Sequence, residues 1–130
     1  MNKSKQKGTA WETDTVNALE ERKIRATRIP MTGAIAKGDI ELLDLPFLIE
    51  SKNCHKMTLA DWVEQLKKEV GYSTRVAGFV WHHRSGKAHP KDGYVTTTGE
   101  QFMDTLDYMN SLLKKIEKLE VQIIKLTPGE

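Results

Sequence analysis

The chain has 130 residues, 38% hydrophobic and 29% charged, enough to bury one modest core, which suits a single soluble domain. No apolar run approaches the roughly 20 residues of a membrane span, and no apolar signal region follows the lysines of "MNKSKQKG", so the expected setting is cytoplasmic and away from membranes. A net charge of +2 and a pI near 8.6 are too mild to assign nucleic-acid binding by themselves.

In chain order, Lys3, Lys5 and Lys7 form an acid-free arm over residues 1–8. A helix is expected from about Ala10 to Lys23, with Thr9 as cap and Glu12 at the capping-box position. Glu12 also falls on one side with Val16 and Leu19, and a carboxylate within an apolar stripe needs a cation or metal partner. Both readings of Glu12 stand on spacing alone. Arg22, Lys23, Arg25, Arg28 and Lys37 follow within a short span diluted by Asp14, Glu20 and Glu21. Lys5, Lys7, Arg25 and Lys37 are candidate phosphate-binding residues, and a solvated charged face would look the same.

"IRATRI" predicts a short strand, and "PMTGAIAKG" a loop. "DIELL" and "FLIESK" predict a hairpin joined through Asp44, Leu45 and Pro46. Beyond it come an amphipathic helix in "TLADWVEQLKKEV", with Leu59, Trp62, Val63, Leu66 and Val70 as its apolar face, and a strand in "VAGFVWHH". "YVTTT" predicts a last strand, and Thr98 with Gln101 predicts a capping box opening a long C-terminal helix. That helix carries Phe102, Leu106, Met109, Leu113, Ile116 and Ile123, so it either covers the sheet or pairs with its twin. Domain bounds follow as an arm over 1–8, a core over 9–97 and a C-terminal helix and tail over 98–130.

Single residues add less. The lone Cys54 has no internal disulfide partner and reads as a packed residue in a reduced compartment. His82 and His83 lack ligands at zinc spacing and read as structural or DNA-facing, Gln65 as an exposed helix residue, and Trp11, Trp62 and Trp81 as core.

The hairpin carries the chemistry. Alternation puts Glu50 and Lys52 on one strand face about 6.6 Å apart, with Phe47, Ile49 and Ser51 on the other. Asp39 joins Glu50 or Lys52 across the pair only if the connection has an even number of residues, such as four; an odd, unbulged turn puts it opposite Ser51. So assembled, Asp39 and Glu50 offer hard oxygen ligands suited to Mg²⁺ or Mn²⁺, and a nearby ammonium suits a developing phosphoryl charge. Spacing alone equally allows solvent-facing charges on an edge strand.

Through "KGTAWETDTVNALEERKI", "TRIPMTGAIAKGDIEL" and "LIESKN", from about Lys7 to Trp81, the sequence resembles the PD-(D/E)xK nuclease superfamily, and within it the archaeal-type Holliday junction resolvases and their phage relatives. The resemblance implies an α/β fold, a restriction-endonuclease-like core with a central mixed sheet flanked by helices, to which this chain adds a long C-terminal helix. It implies a Mg²⁺-dependent endonuclease, with Mn²⁺ as possible substitute, acting on branched DNA in recombination and repair inside a prokaryotic or phage-infected cell. Glu12 falls on the family's helix-1 glutamate, Asp39 on its metal aspartate, and Glu50 and Lys52 on its E-x-K pair; Asp39, Glu50 and Glu12 would be the metal ligands. Arg28 matches a basic residue near the site and Thr32 a small hydroxyl in the mobile loop, both DNA-binding. Gly38 stands where the name-giving proline would precede Asp39. Because a four-way junction is nearly two-fold symmetric and needs two cuts, the resemblance also implies a homodimer. The alternatives are a nuclease of the same fold acting on flaps, nicks or duplex, and a non-catalytic DNA-binding or adapter protein.

Overall fold

A strand that is apolar on both faces must be covered twice, and residues 47–52 and 77–82 both read that way. The computed structural model describes residues 3–29 and 40–129, apart from the side chains of Ser4 and Lys5. Its elements are α1 (Lys3–Glu21), β1 (Ala26–Arg28), β2 (Ile40–Leu42), β3 (Phe47–Lys52), α2 (Leu59–Gly71), β4 (Ala77–His82), a 3₁₀ turn (Pro90–Asp92), β5 (Tyr94–Thr96) and α3 (Gly99–Leu126). The strands form one mixed sheet in chain order. β3 and β4 run parallel, and every other neighbouring pair is antiparallel. Parallel neighbours need a crossover, which α2 supplies.

Both faces of the sheet are covered, as the two-sided strands require. On one, Leu19 and Val16 of α1 pack with Ala26, Ile40, Leu42 and Ile49, joined by Phe47, Phe79 and Trp81. On the other, Trp62, Val63, Leu66 and Val70 of α2 pack with Leu48 and Val80. Gly78 of β4 lies directly under α2, where a Cβ would come within 2.7 Å of Leu66 Cδ1. The three tryptophans belong to this core, as expected.

α1 begins at Lys3, so the basic arm continues the helix and Thr9 lies inside it rather than capping it. Lysine and glutamine are good helix formers, and the cost of Gly8, about 1 kcal/mol, does not stop the run. The buried stripe consists of Trp11, Thr15 and Leu19, one residue back from the expected Glu12 at its upper end. The other end closes in a Schellman motif: Ile24 N–H donates to Leu19 O and Lys23 N–H to Glu20 O, both at 3.0 Å. Lys23 takes the left-handed conformation, φ 65°, and Ile24 and Leu19 meet in the core, the apolar contact that accompanies this ending.

β2 stops at Leu42, so Leu43 to Pro46 make the even, four-residue connection. Ile40 pairs with Ile49 and Glu41 with Leu48. Asp39, next in sequence to Ile40, lies outside the described residues, as do Thr32 and Lys37.

Thr98 caps α3, its Oγ1 accepting from Gln101 N–H at 3.2 Å. Gln101 does not complete a capping box; its Oε1 accepts the N–H of Gly78 at 2.8 Å and fastens the helix to β4. Tyr108 reaches Phe47, ring centroids 6.0 Å apart, and beyond it every residue of the helix is exposed. The helix therefore docks by its first turns and does not cover the sheet. Among the described residues no helix is long and apolar enough to cross a membrane.

Candidate active site

Alternation along β3 puts Glu50 and Lys52 on the face of Leu48, under α2. Glu50 is 3% exposed, and the Lys52 ammonium sits 3.3 Å from its Oε1. A carboxylate so placed needs a cation, because desolvating an isolated charge costs several kcal/mol. Lys52 also lies 6.0 Å from the centroid of Trp62 on α2, near the limit of a cation–π contact. The strand end is fixed from the side: Lys52 stands opposite His82 in the parallel pair, and its carbonyl accepts from His83 N–H at 2.9 Å. The expected pairing of glutamate and lysine on one face is therefore present, on a rigid element rather than a loop.

Glu12 projects from α1, and its partner is Arg28 of β1, whose Nε and Nη2 both donate to Oε2 at 2.8 Å. The cation that its half-buried position required is thus a guanidinium. Glu12 and Arg28, matched separately to the family, meet each other. Arg25 forms a fork with Asp44, at 2.7 and 2.5 Å. Hydrogen bonding to Arg25 holds the Asp44 carboxyl below the usual carboxylate range, and the same bond raises Arg25. Both basic residues are therefore engaged by carboxylates of their own chain, while Lys7 lines a cavity of about 440 Å³ beyond the ends of β3 and β4 together with Asn53, His83 and Arg84. The side chain of Lys5 lies outside the described residues.

His82 points inward. It is 4% exposed, its Nε2 lies 3.0 Å from Thr96 Oγ1, and burial pushes its pKa below the ordinary histidine value. His83 packs edge-on against Trp11, 4.9 Å between centroids. Cys54 is exposed, contrary to expectation, because it falls just past the strand rather than on a covered face.

Three side chains escaped the sequence reading. Glu69 is 3% exposed on α2, taking a hydrogen bond from Gln65 at 3.2 Å; its place three residues after Leu66 on the apolar stripe was the available signal. Arg75 ties Glu41 and the carbonyls of Leu42 and Leu45 together, clamping the hairpin that carries Glu50. Arg84 enters the cavity beside Lys7, with its guanidinium 4.3 Å from the Tyr94 ring centroid. Its place two residues past β4 is visible in sequence, but nothing local marks its target.

For a divalent cation, the donor chemistry of Glu50 is suitable, a hard oxygen in a sheltered place. Among the described residues no three of His, Cys, Asp or Glu gather in a group able to hold a metal ion, so Glu50 is the described donor and Asp39 the residue that would have to complete it.

A mixed five-stranded sheet, flanked by three helices of which the last is long, is a nuclease-like α/β fold. The chain is similar in structure to an alkaline exonuclease from Laribacter hongkongensis, with a TM-score of 0.53 and 16% identity over 98% of this chain and 77% of that one. No protein-family model and no curated protein sequence matches the chain.

Proposed function

We propose that the protein is a metal-dependent, structure-selective DNA endonuclease that hydrolyses phosphodiester bonds in branched DNA, as a Holliday junction resolvase does. The observation that carries this reading is the buried Glu50 with the Lys52 ammonium beside it, on a fold shared with a nuclease. Asp39 and Glu50 would hold Mg²⁺ or Mn²⁺, while Glu12, held by Arg28, lies on the helix that covers the opposite face of the sheet. Such an ion, when bound, supplies Lewis acidity and lowers the pKa of a coordinated water. Lys52, held by Glu50 and bordered by Trp62, offers its N–H groups to the phosphoryl oxygen that gains charge in the transition state. Lys7 and Arg84 offer cations to the phosphate backbone. Carboxylates without metal would repel DNA, so a pure binding module gains nothing from this arrangement.

A second reading keeps the chemistry and changes the substrate: a nuclease acting on ends, flaps, nicks or duplex. It is favoured by the neighbour's name, an exonuclease. Purified protein incubated with Mg²⁺ and labelled four-way, flap, nicked and linear DNAs separates the two by which substrate is cut. Asp39→Asn and Glu50→Gln should abolish cleavage and leave DNA binding in Ca²⁺ intact, and Lys52→Ala should lower turnover more than metal affinity. Full activity in Glu50→Gln sinks the proposal.

A further inference from the structure

α3 has 28 residues, about 42 Å at 1.5 Å per residue, yet only Gln101 and Thr105 on it are buried. Past Tyr108 its side chains form a seam with a repeat of seven. Met109, Ile116 and Ile123 follow one another at the first position, and Leu112, Leu119 and Leu126 at the fourth; all six are exposed in the single chain. These are the a and d positions of a heptad, and isoleucine at a with leucine at d favours two parallel strands. Leu113, also exposed, widens the seam at e.

The charges select the occupant. Lys115 falls at g and Glu120 at e of the next heptad, the two positions that meet across a parallel dimer. Within its own helix each lies three residues from a like charge, Lys115 from Lys118 and Glu120 from Glu117, an unfavourable spacing. No ion pair among the described residues relieves either one. A second copy in parallel register brings Lys115 to its Glu120, and its Lys115 to Glu120 of the first, while a/d side chains interlock.

We infer that α3 from Met109 to Leu126 is a homodimerisation element, a parallel two-stranded coiled coil with a second copy of this chain. The inference does not depend on what the protein cleaves.

Light scattering on the full chain should give twice the mass of the 14.8 kDa monomer, and Leu112→Asp with Leu119→Asp should return it to a monomer. Both substituted positions are exposed, so tryptophan emission from the core should not move, which separates lost pairing from lost folding. Lys115→Glu and Glu120→Lys should each weaken association a few-fold, and the double variant should restore it. In a Cys54→Ser background, Leu126→Cys should oxidise to a disulfide-linked dimer, since parallel strands put the two d positions side by side. A wild-type monomer, a dimer that survives the double aspartate variant, charge swaps without rescue, or no cross-link at position 126 each overturns the inference.

Discussion

Gly78 offers a direct test of how tightly α2 is held to the sheet that carries the candidate site. A methyl group there would lie 2.7 Å from Leu66 Cδ1, 2.8 Å from Val70 Cγ2 and 2.9 Å from Leu66 Cγ, against about 3.5 to 4.0 Å for carbons at their optimum. Leu66 is fully buried and cannot swing away. The strand cannot retreat either, because Gly78 N–H donates to Gln101 at 2.8 Å and its carbonyl accepts from Thr97 at 2.7 Å. α2 must therefore move outward, and such overpacking costs about 1 to 3 kcal/mol. At about 3 to 5 °C per kcal/mol for a domain of this size, Gly78→Ala should melt about 3 to 15 °C below the wild type. Thermal unfolding followed by circular dichroism, at one protein concentration so that any association is held constant, measures it. Gly71→Ala is the control: it ends the same helix with nothing within 4 Å of its Cβ, and alanine there should be neutral or stabilising by up to about 1 kcal/mol. If Gly78→Ala melts within a degree of the wild type, the packing argument is wrong.

Lys23→Gly should stabilise the protein by about 0.5 to 1 kcal/mol, since the left-handed position strains a side chain and glycine gives back part of that gain as unfolded-state entropy; an unchanged or lower denaturation midpoint would contradict it. Glu12→Gln should lower stability by no more than about 1 kcal/mol, as a half-exposed pair with Arg28 contributes little; a cleavage assay on the same sample then tells whether the carboxylate is needed for chemistry. His82 gives a pH signature. Its folded pKa is lowered by burial, so the unfolded chain takes up the proton first and stability should decline as pH falls below about 6.5. Urea unfolding of His82→Asn should show a shallower decline over that range, and parallel curves for the two proteins would remove His82 as the cause.

The amphipathic α2 and the alternation along β3 were legible because burial leaves a period in the sequence: Trp62, Leu66 and Ile49 fall where the pattern puts them. The face shared by Glu50 and Lys52 was legible for the same reason. What local pattern leaves open or misplaces depends on distant partners or on a single register step. The even connection turns on β2 ending at Leu42, one residue short of its apolar run. Thr9 had the chemistry of a cap, but a cap is decided by whether the preceding residues stay helical, and they do. Gln101 has the spacing of a capping-box residue and instead binds β4, since a backbone donor across the fold is invisible to local spacing. Likewise the partner that Arg28 finds in its own chain, Glu12 sixteen residues away, leaves no mark in local spacing.

The sheet order equals the chain order, which bears on kinetics. Each strand pairs with the one before or after it, and the widest reach between strands, Phe47 to Ala77, is spanned by α2. Strand pairing therefore closes short stretches of chain, while Trp11 of α1 must reach Trp81 of β4 across 70 residues, and folding on the order of milliseconds is expected for a mixed domain of this kind. Its outermost strands, β1 and β5, have three residues each, too short to template another chain's edge. A nascent chain thus passes quickly through the stage at which its apolar α3 seam and its unpaired strands are exposed together, the combination most prone to wrong association.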